Sequence, residues 1–65
     1  MKKAEISQLV AAQTVEDRGN GLWTVSLPNG SVDVAASDEK TARAAAVEYV
    51  AGLDDDEAER VRAGA

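Results

Sequence analysis

Leu22-Trp23-Thr24-Val25-Ser26-Leu27-Pro28-Asn29-Gly30-Ser31-Val32-Asp33-Val34-Ala35-Ala36 is the stretch whose reading decides the fold. Apolar and polar residues alternate on both sides of an Asn-Gly pair, the strongest short-range signature of a β-hairpin. Parity then fixes the loop, because a one-residue slip would turn every side chain to the opposite face. An even loop, either Asn29-Gly30 alone or Pro28 to Ser31, keeps both apolar sets together. It sets Leu27 opposite Val32, Val25 opposite Val34 and Trp23 opposite Ala36, with Thr24, Ser26 and Asp33 facing water. Pro28 lacks an N–H and is expected at the strand end, which favours the four-residue loop.

Downstream of this hairpin, Ser37 is placed to cap a helix over residues 38–51, and Asp38 and Glu39 put negative charge in its first turn. Ala42, Ala45, Ala46, Tyr49, Val50 and Leu53 follow at helical spacing and form one apolar stripe. Its small alanines allow close approach to a sheet, with Tyr49 and Val50 filling the wider end. Gly52 reads as a left-handed stop. A short acidic helix over 54–63 comes next, with Asp54 and Glu57 at capping-box spacing and Arg60 and Arg62 near its end. Only Ala58 and Val61 mark an apolar side, so this helix is expected to dock weakly.

Upstream, residues 1–21 leave two readings open. Ile6, Leu9 and Val10 suit a helix, whereas Leu9, Ala11, Gln13 and Val15 alternate as a strand does. Asp17-Arg18-Gly19-Asn20-Gly21 is a turn. An odd loop there, of three or five residues, brings Val15 and Ala11 onto the face of Trp23, Val25 and Leu27, with a strand ending near Glu16. The expected architecture is therefore α+β in one domain spanning 1–65. A small antiparallel β-meander of two to three strands is packed on one face by the Ala-rich helix, with the short acidic helix after it and room for a short helix before it.

Composition bounds the chemistry. Sixty-five residues hold seven Lys+Arg and twelve Asp+Glu, with a formal net charge of −5 and no His or Cys. Histidine bases, thiolate nucleophiles, soft-ligand zinc sites and disulfides are all excluded. Ser7, Ser26, Ser31 and Ser37 lack a histidine to activate them, and a chain of this length has little room for a water-excluding cleft. The expectation is a protein without catalytic residues, metal or cofactor. Thirteen of the 29 hydrophobic residues are Ala. Domains below roughly 70–80 residues rarely draw more than ~3–5 kcal/mol from one core, so a homodimer or a fold completed on a partner is a serious alternative to an isolated monomer. No apolar run follows Met1-Lys2-Lys3, which predicts a cytoplasmic protein. The negative charge argues against direct binding to nucleic acid or to an anionic membrane.

Asp54, Asp55, Asp56, Glu57 and Glu59 place five of the twelve acids within six positions. Such a run caps and solvates a helix, or it mimics a phosphate array and meets a basic protein surface. A calcium loop starting at Asp54 fails, because Ala58, Glu59 and Ala65 stand where ligands and a glycine are required. Glu16, Asp17 and Asp33 join the candidate partner-binding set at the sheet. Trp23 and Tyr49 read as core aromatics, and Gly19-Asn20-Gly21 as a hairpin turn rather than a phosphate loop.

Gly21 to Pro28, a following strand and the helix with Ala42, Ala45 and Ala46 resemble the partial ferredoxin-like domain of HicB-type antitoxins over about half of the chain. The Gly-Cys pair of that family and its DNA-binding segment have no counterpart here. The meander plus helix also resembles the arm-binding domains of phage integrases, and the Ala-rich helix is similar to that of double-stranded-RNA-binding domains. Asp33, Asp38 and Glu39 occupy positions where both families need basic residues. In size and acidity the chain is similar to phage-encoded anti-CRISPR and anti-restriction inhibitors. The function expected from these features is a non-catalytic inhibitor or regulator that binds a basic, nucleic-acid-handling partner. The alternative is an antitoxin-like accessory domain acting as a homodimer through its open sheet edge.

Overall fold

Two tight turns shape the middle of the chain. In a computed structural model, which describes residues 2–64, they join β1 (Val15–Gly19), β2 (Leu22–Leu27) and β3 (Gly30–Ala35) into an antiparallel sheet of order β1-β2-β3. Helix α1 (Lys3–Ala11) precedes the sheet, and α2 (Glu39–Ala51) and α3 (Asp55–Ala63) follow it. The α+β meander read from the sequence is thus the observed architecture.

At the first turn Asn20 and Gly21 both have positive φ, 54° and 75°. A two-residue hairpin whose twist matches its strands needs that pair of conformations, and Asn and Gly are the residues that tolerate them. Strand β1 therefore runs on to Gly19 instead of ending near Glu16. A register shift between Asp17 and Gly19 supplies the extra residue that sets Val15 opposite Val25. The odd parity is met by a bulge plus a two-residue turn.

The second turn corrects the expected register. Leu27 pairs with Gly30, Val25 with Val32 and Trp23 with Val34, two residues away from the expected partners. Pro28 and Asn29 are the central turn residues. Neither has a positive φ, whereas Gly30 adopts φ 151°. Proline's fixed φ suits the first central position, and glycine closes the turn. A shift of two leaves each side chain on its face, so the hydrophobic pattern does not detect it. Val15, Val25 and Val32 form one row facing the helices, with Trp23 and Val34 in the next.

Helix α2 covers that face, but not with the expected stripe. Its N-cap is Asp38, not Ser37: the Asp38 carboxylate accepts from the Thr41 N–H at 2.7 Å. Ala42, Ala46, Val47 and Val50 are buried, whereas Tyr49 is 49% exposed. The buried face is rotated towards Arg43 and Val47 because α1 lies on that side. Lys3 meets Glu48 at 2.8 Å while Arg43 reaches the far end of α1, so the two helices run antiparallel. Residues 3–11 are helical, which removes Ala11 from the sheet face where the alternating pattern put it; it is exposed. Gly52 ends α2 in a right-handed conformation at φ −83°, and it is Gly64, after α3, that takes the left-handed cap at φ 77°.

The core joins Ile6 and Val10 of α1, Val25 and Leu27 of β2, the buried face of α2, and Ala58 and Val61 of α3. Trp23 packs against it half-buried. Helix α3 is thus anchored, and its cap Gly64 lies so close to Pro28 that a Cβ there would sit 3.3 Å from the Pro28 carbonyl oxygen. Ile6→Ala removes a fully buried side chain and is expected to cost about 2–5 kcal/mol in urea unfolding. Tyr49→Ala, at an exposed position, is expected to change stability by less than about 0.5 kcal/mol. Equal losses from the two substitutions would contradict this core.

Candidate functional site

The eight acids singled out in the sequence fall into two groups on opposite sides of the sheet. Helix α3 enters the core from the helical side through Ala58 and Val61, and carries Asp54 to Glu59 there. Glu16 and Asp33 lie on the bare face of the sheet, both in register with Thr24. No single acidic surface unites them. Asp17 pairs with Trp23, so it lies at the sheet edge on the helical side.

Most of these carboxylates have local partners. Asp54 is the N-cap of α3 and accepts from the Glu57 N–H at 2.8 Å, half of the capping box expected from the spacing. Glu57 stands 3.9 Å from Arg60, one turn along the helix. Glu59 accepts from Arg62 at 3.2 Å through Nε and again through the second guanidinium nitrogen. At the sheet, Glu16 pairs with Arg18 at 2.9 Å, Asp17 accepts from the Gly19 N–H at 2.9 Å, and Asp33 accepts from the Thr24 hydroxyl at 2.7 Å. Asp55 and Asp56 have no ion pair among the described residues. Asp56, Glu59, Arg60 and Ala63 line a shallow depression along the outer side of α3.

Hydrogen bonds set the titration of the surface. The Thr41 N–H holds the Asp38 carboxyl below its ordinary value of 3.8, and the Arg62 guanidinium holds Glu59 below 4.5. Arg62 is raised in return by Glu59. Among the described residues no group of three His, Cys, Asp or Glu is placed to hold a metal ion, and no helix is long and apolar enough to cross a membrane.

Two partners escaped the sequence reading. Thr24, as a donor to Asp33, becomes visible only once the true register is known. Arg43 sits beside the alanine stripe, and its one signal in the sequence is its position four residues after Glu39. No family model, no curated protein and no solved structure matches the chain.

A carboxylate whose pKa is lowered by folding adds stability that is complete above its unfolded value and is lost as pH falls through the folded value. Asp38→Ala is therefore expected to lower the urea midpoint at neutral pH. The gap from the parent chain should close as pH falls through the lowered folded-state value, where the parent carboxyl is protonated as well. A gap that persists in acid would show that Asp38 acts other than as a charged cap.

Proposed function

We propose that the chain is a non-catalytic protein-binding module, an inhibitor or regulator, that sets the outer face of α3 against a basic surface of a nucleic-acid-handling protein. The observation that carries this reading is the pair Asp55 and Asp56. They are exposed carboxylates without a cation of their own among the described residues, on a helix capped by Asp54 and anchored by buried Ala58 and Val61. Fixed surface charge accelerates encounter with an oppositely charged partner and selects against like-charged ones. A chain of −5 net charge without His or Cys is suited to that role and poorly suited to acid–base or nucleophilic chemistry.

The test begins with affinity capture from a host extract and continues with calorimetric titration of the captured protein. Asp55→Lys combined with Asp56→Lys is expected to weaken binding by at least about tenfold at low salt, the sum of a lost attraction and a new repulsion. Parent binding should itself weaken as ionic strength rises. Affinity that is indifferent to both changes would overturn the reading.

A further inference from the structure

The two edges of the sheet are treated differently. Strand β1 carries the consecutive charges Glu16, Asp17 and Arg18, breaks register before Gly19, and turns the Asp17 carboxylate back onto its own backbone. Bulges and charges of this kind are how native proteins stop an edge from pairing. Strand β3, Gly-Ser-Val-Asp-Val-Ala, has no bulge, no proline and no lysine, and keeps register with β2 over all six residues.

The hydrogen-bond phase of β3 is fixed by the Ala36 N–H, which donates to the Gly21 carbonyl at 2.8 Å. Hydrogen-bonded pairs alternate along an antiparallel ladder. Val34, Val32 and Gly30 therefore point their backbone groups towards β2, and Ser31, Asp33 and Ala35 point theirs outward. These three residues are exposed, and among the described residues their outward groups have no backbone partner.

We infer that β3 pairs antiparallel with β3 of a second copy, with Val32 on the two-fold axis, giving a continuous six-stranded sheet. The side chains choose this register. Centring on Asp33 would set two carboxylates directly opposite each other, which is destabilising. Centring on Val34 would set Asp33 against the partner's Ala35, a methyl group with no hydrogen bond to offer. Centring on Val32 sets Asp33 against the partner's Ser31, a hydroxyl donor, twice across the axis. The helix-facing row Val15–Val25–Val32 then continues into the partner's Val32 and on through its matching row. Both copies' helices lie on one side of the joined sheet, and the half-buried Val32 at the rim of a small core becomes interior. This inference does not depend on the reading of α3, which lies elsewhere on the molecule.

The test is sedimentation equilibrium of the full chain over micromolar to millimolar concentration. A reversible dimer is expected. Ser31→Asp, which places a carboxylate opposite the partner's Asp33, should weaken it about tenfold, while Ser31→Lys should strengthen it by a similar factor at low salt. Ala35→Lys, which faces no charge in this register, should leave it unchanged. Far-UV circular dichroism of each variant establishes that the protomer remains folded. A chain that stays monomeric at millimolar concentration overturns the inference. So does a dimer indifferent to both Ser31 substitutions, or one strengthened by Ala35→Lys instead.

Discussion

The Arg43 guanidinium holds the end of α1. Its Nη1 donates to the carbonyls of Val10 at 2.8 Å, Ala11 at 3.3 Å and Gln13 at 2.8 Å, while Nε pairs with Glu39 at 3.1 Å. Helix α1 needs this. Of its last carbonyls, Gln8 accepts the Ala12 N–H and Val10 the Gln13 N–H, but the C-cap is Ala12 instead of a glycine and no basic residue stands in the last turn. A nine-residue helix is too short to persist on its own, so it exists because Ile6 and Val10 are buried and because α2 supplies the cation. The same contact fixes Gln13, two residues before β1 begins. From there Thr14 accepts from the Ser26 N–H at 3.0 Å and Val15 meets Val25. One side chain on α2 thus sets where α1 stops and where the sheet starts. Lysine would keep a donor for these carbonyls but would lose the second nitrogen, Nε, that pairs with Glu39 at the same time.

That constraint matters because the core is small. Among the described residues only Ile6, Val10, Val25 and Val50 are large and fully buried. Ala42 and Ala46, both without exposed surface, let α2 approach the sheet closely but bring little volume of their own. The missing bulk comes from the flanking helices, Ile6 and Val10 from one and Ala58 and Val61 from the other. No pair of elements encloses the core alone. This is the structural form of the weakness that thirteen alanines announce in the sequence, and it explains why α3, with only two apolar anchors, docks. In a core this thin each remaining anchor covers a large share of the surface that must be removed from water.

The faces of the fold were legible in the sequence, and the positions along those faces were not. Alternation put Val25 and Leu27 inside and Thr24 and Asp33 outside because period two is the geometry of a strand. The register slipped by two because period two is blind to such a shift, and only the conformational demands of Pro28 and Gly30 break the tie. Tyr49 was placed inside because the α2 stripe was read as though the sheet were its only neighbour. Once α1 occupies the Arg43 and Val47 side, the helix turns and Tyr49 faces water. Ser37 and Asp38 both qualify as caps, and one residue of helix start decides between them. The candidate site was legible as a list of acids but not as a surface, because faces separated by a whole sheet do not show in linear order.

Charge follows the same local logic. Among the described residues five of the seven Lys and Arg are paired, Lys3 with Glu48, Arg18 with Glu16, Arg43 with Glu39, Arg60 with Glu57 and Arg62 with Glu59. Exposed pairs of this kind add little stability, though they cancel much of the field. Asp17, Asp38 and Asp54 instead accept backbone N–H groups, and Asp33 a hydroxyl, so dipoles do the work that absent cations would have done. The net charge of −5 is therefore tolerated without a dense acidic patch. Among the described residues, what stays unmatched is Glu5 on α1, Asp55 and Asp56 on α3, and on the bare sheet the free oxygen of Asp33 beside an unpaired strand edge. Asp33 and the α3 pair lie on opposite sides of the sheet, so a partner that meets one leaves the other free.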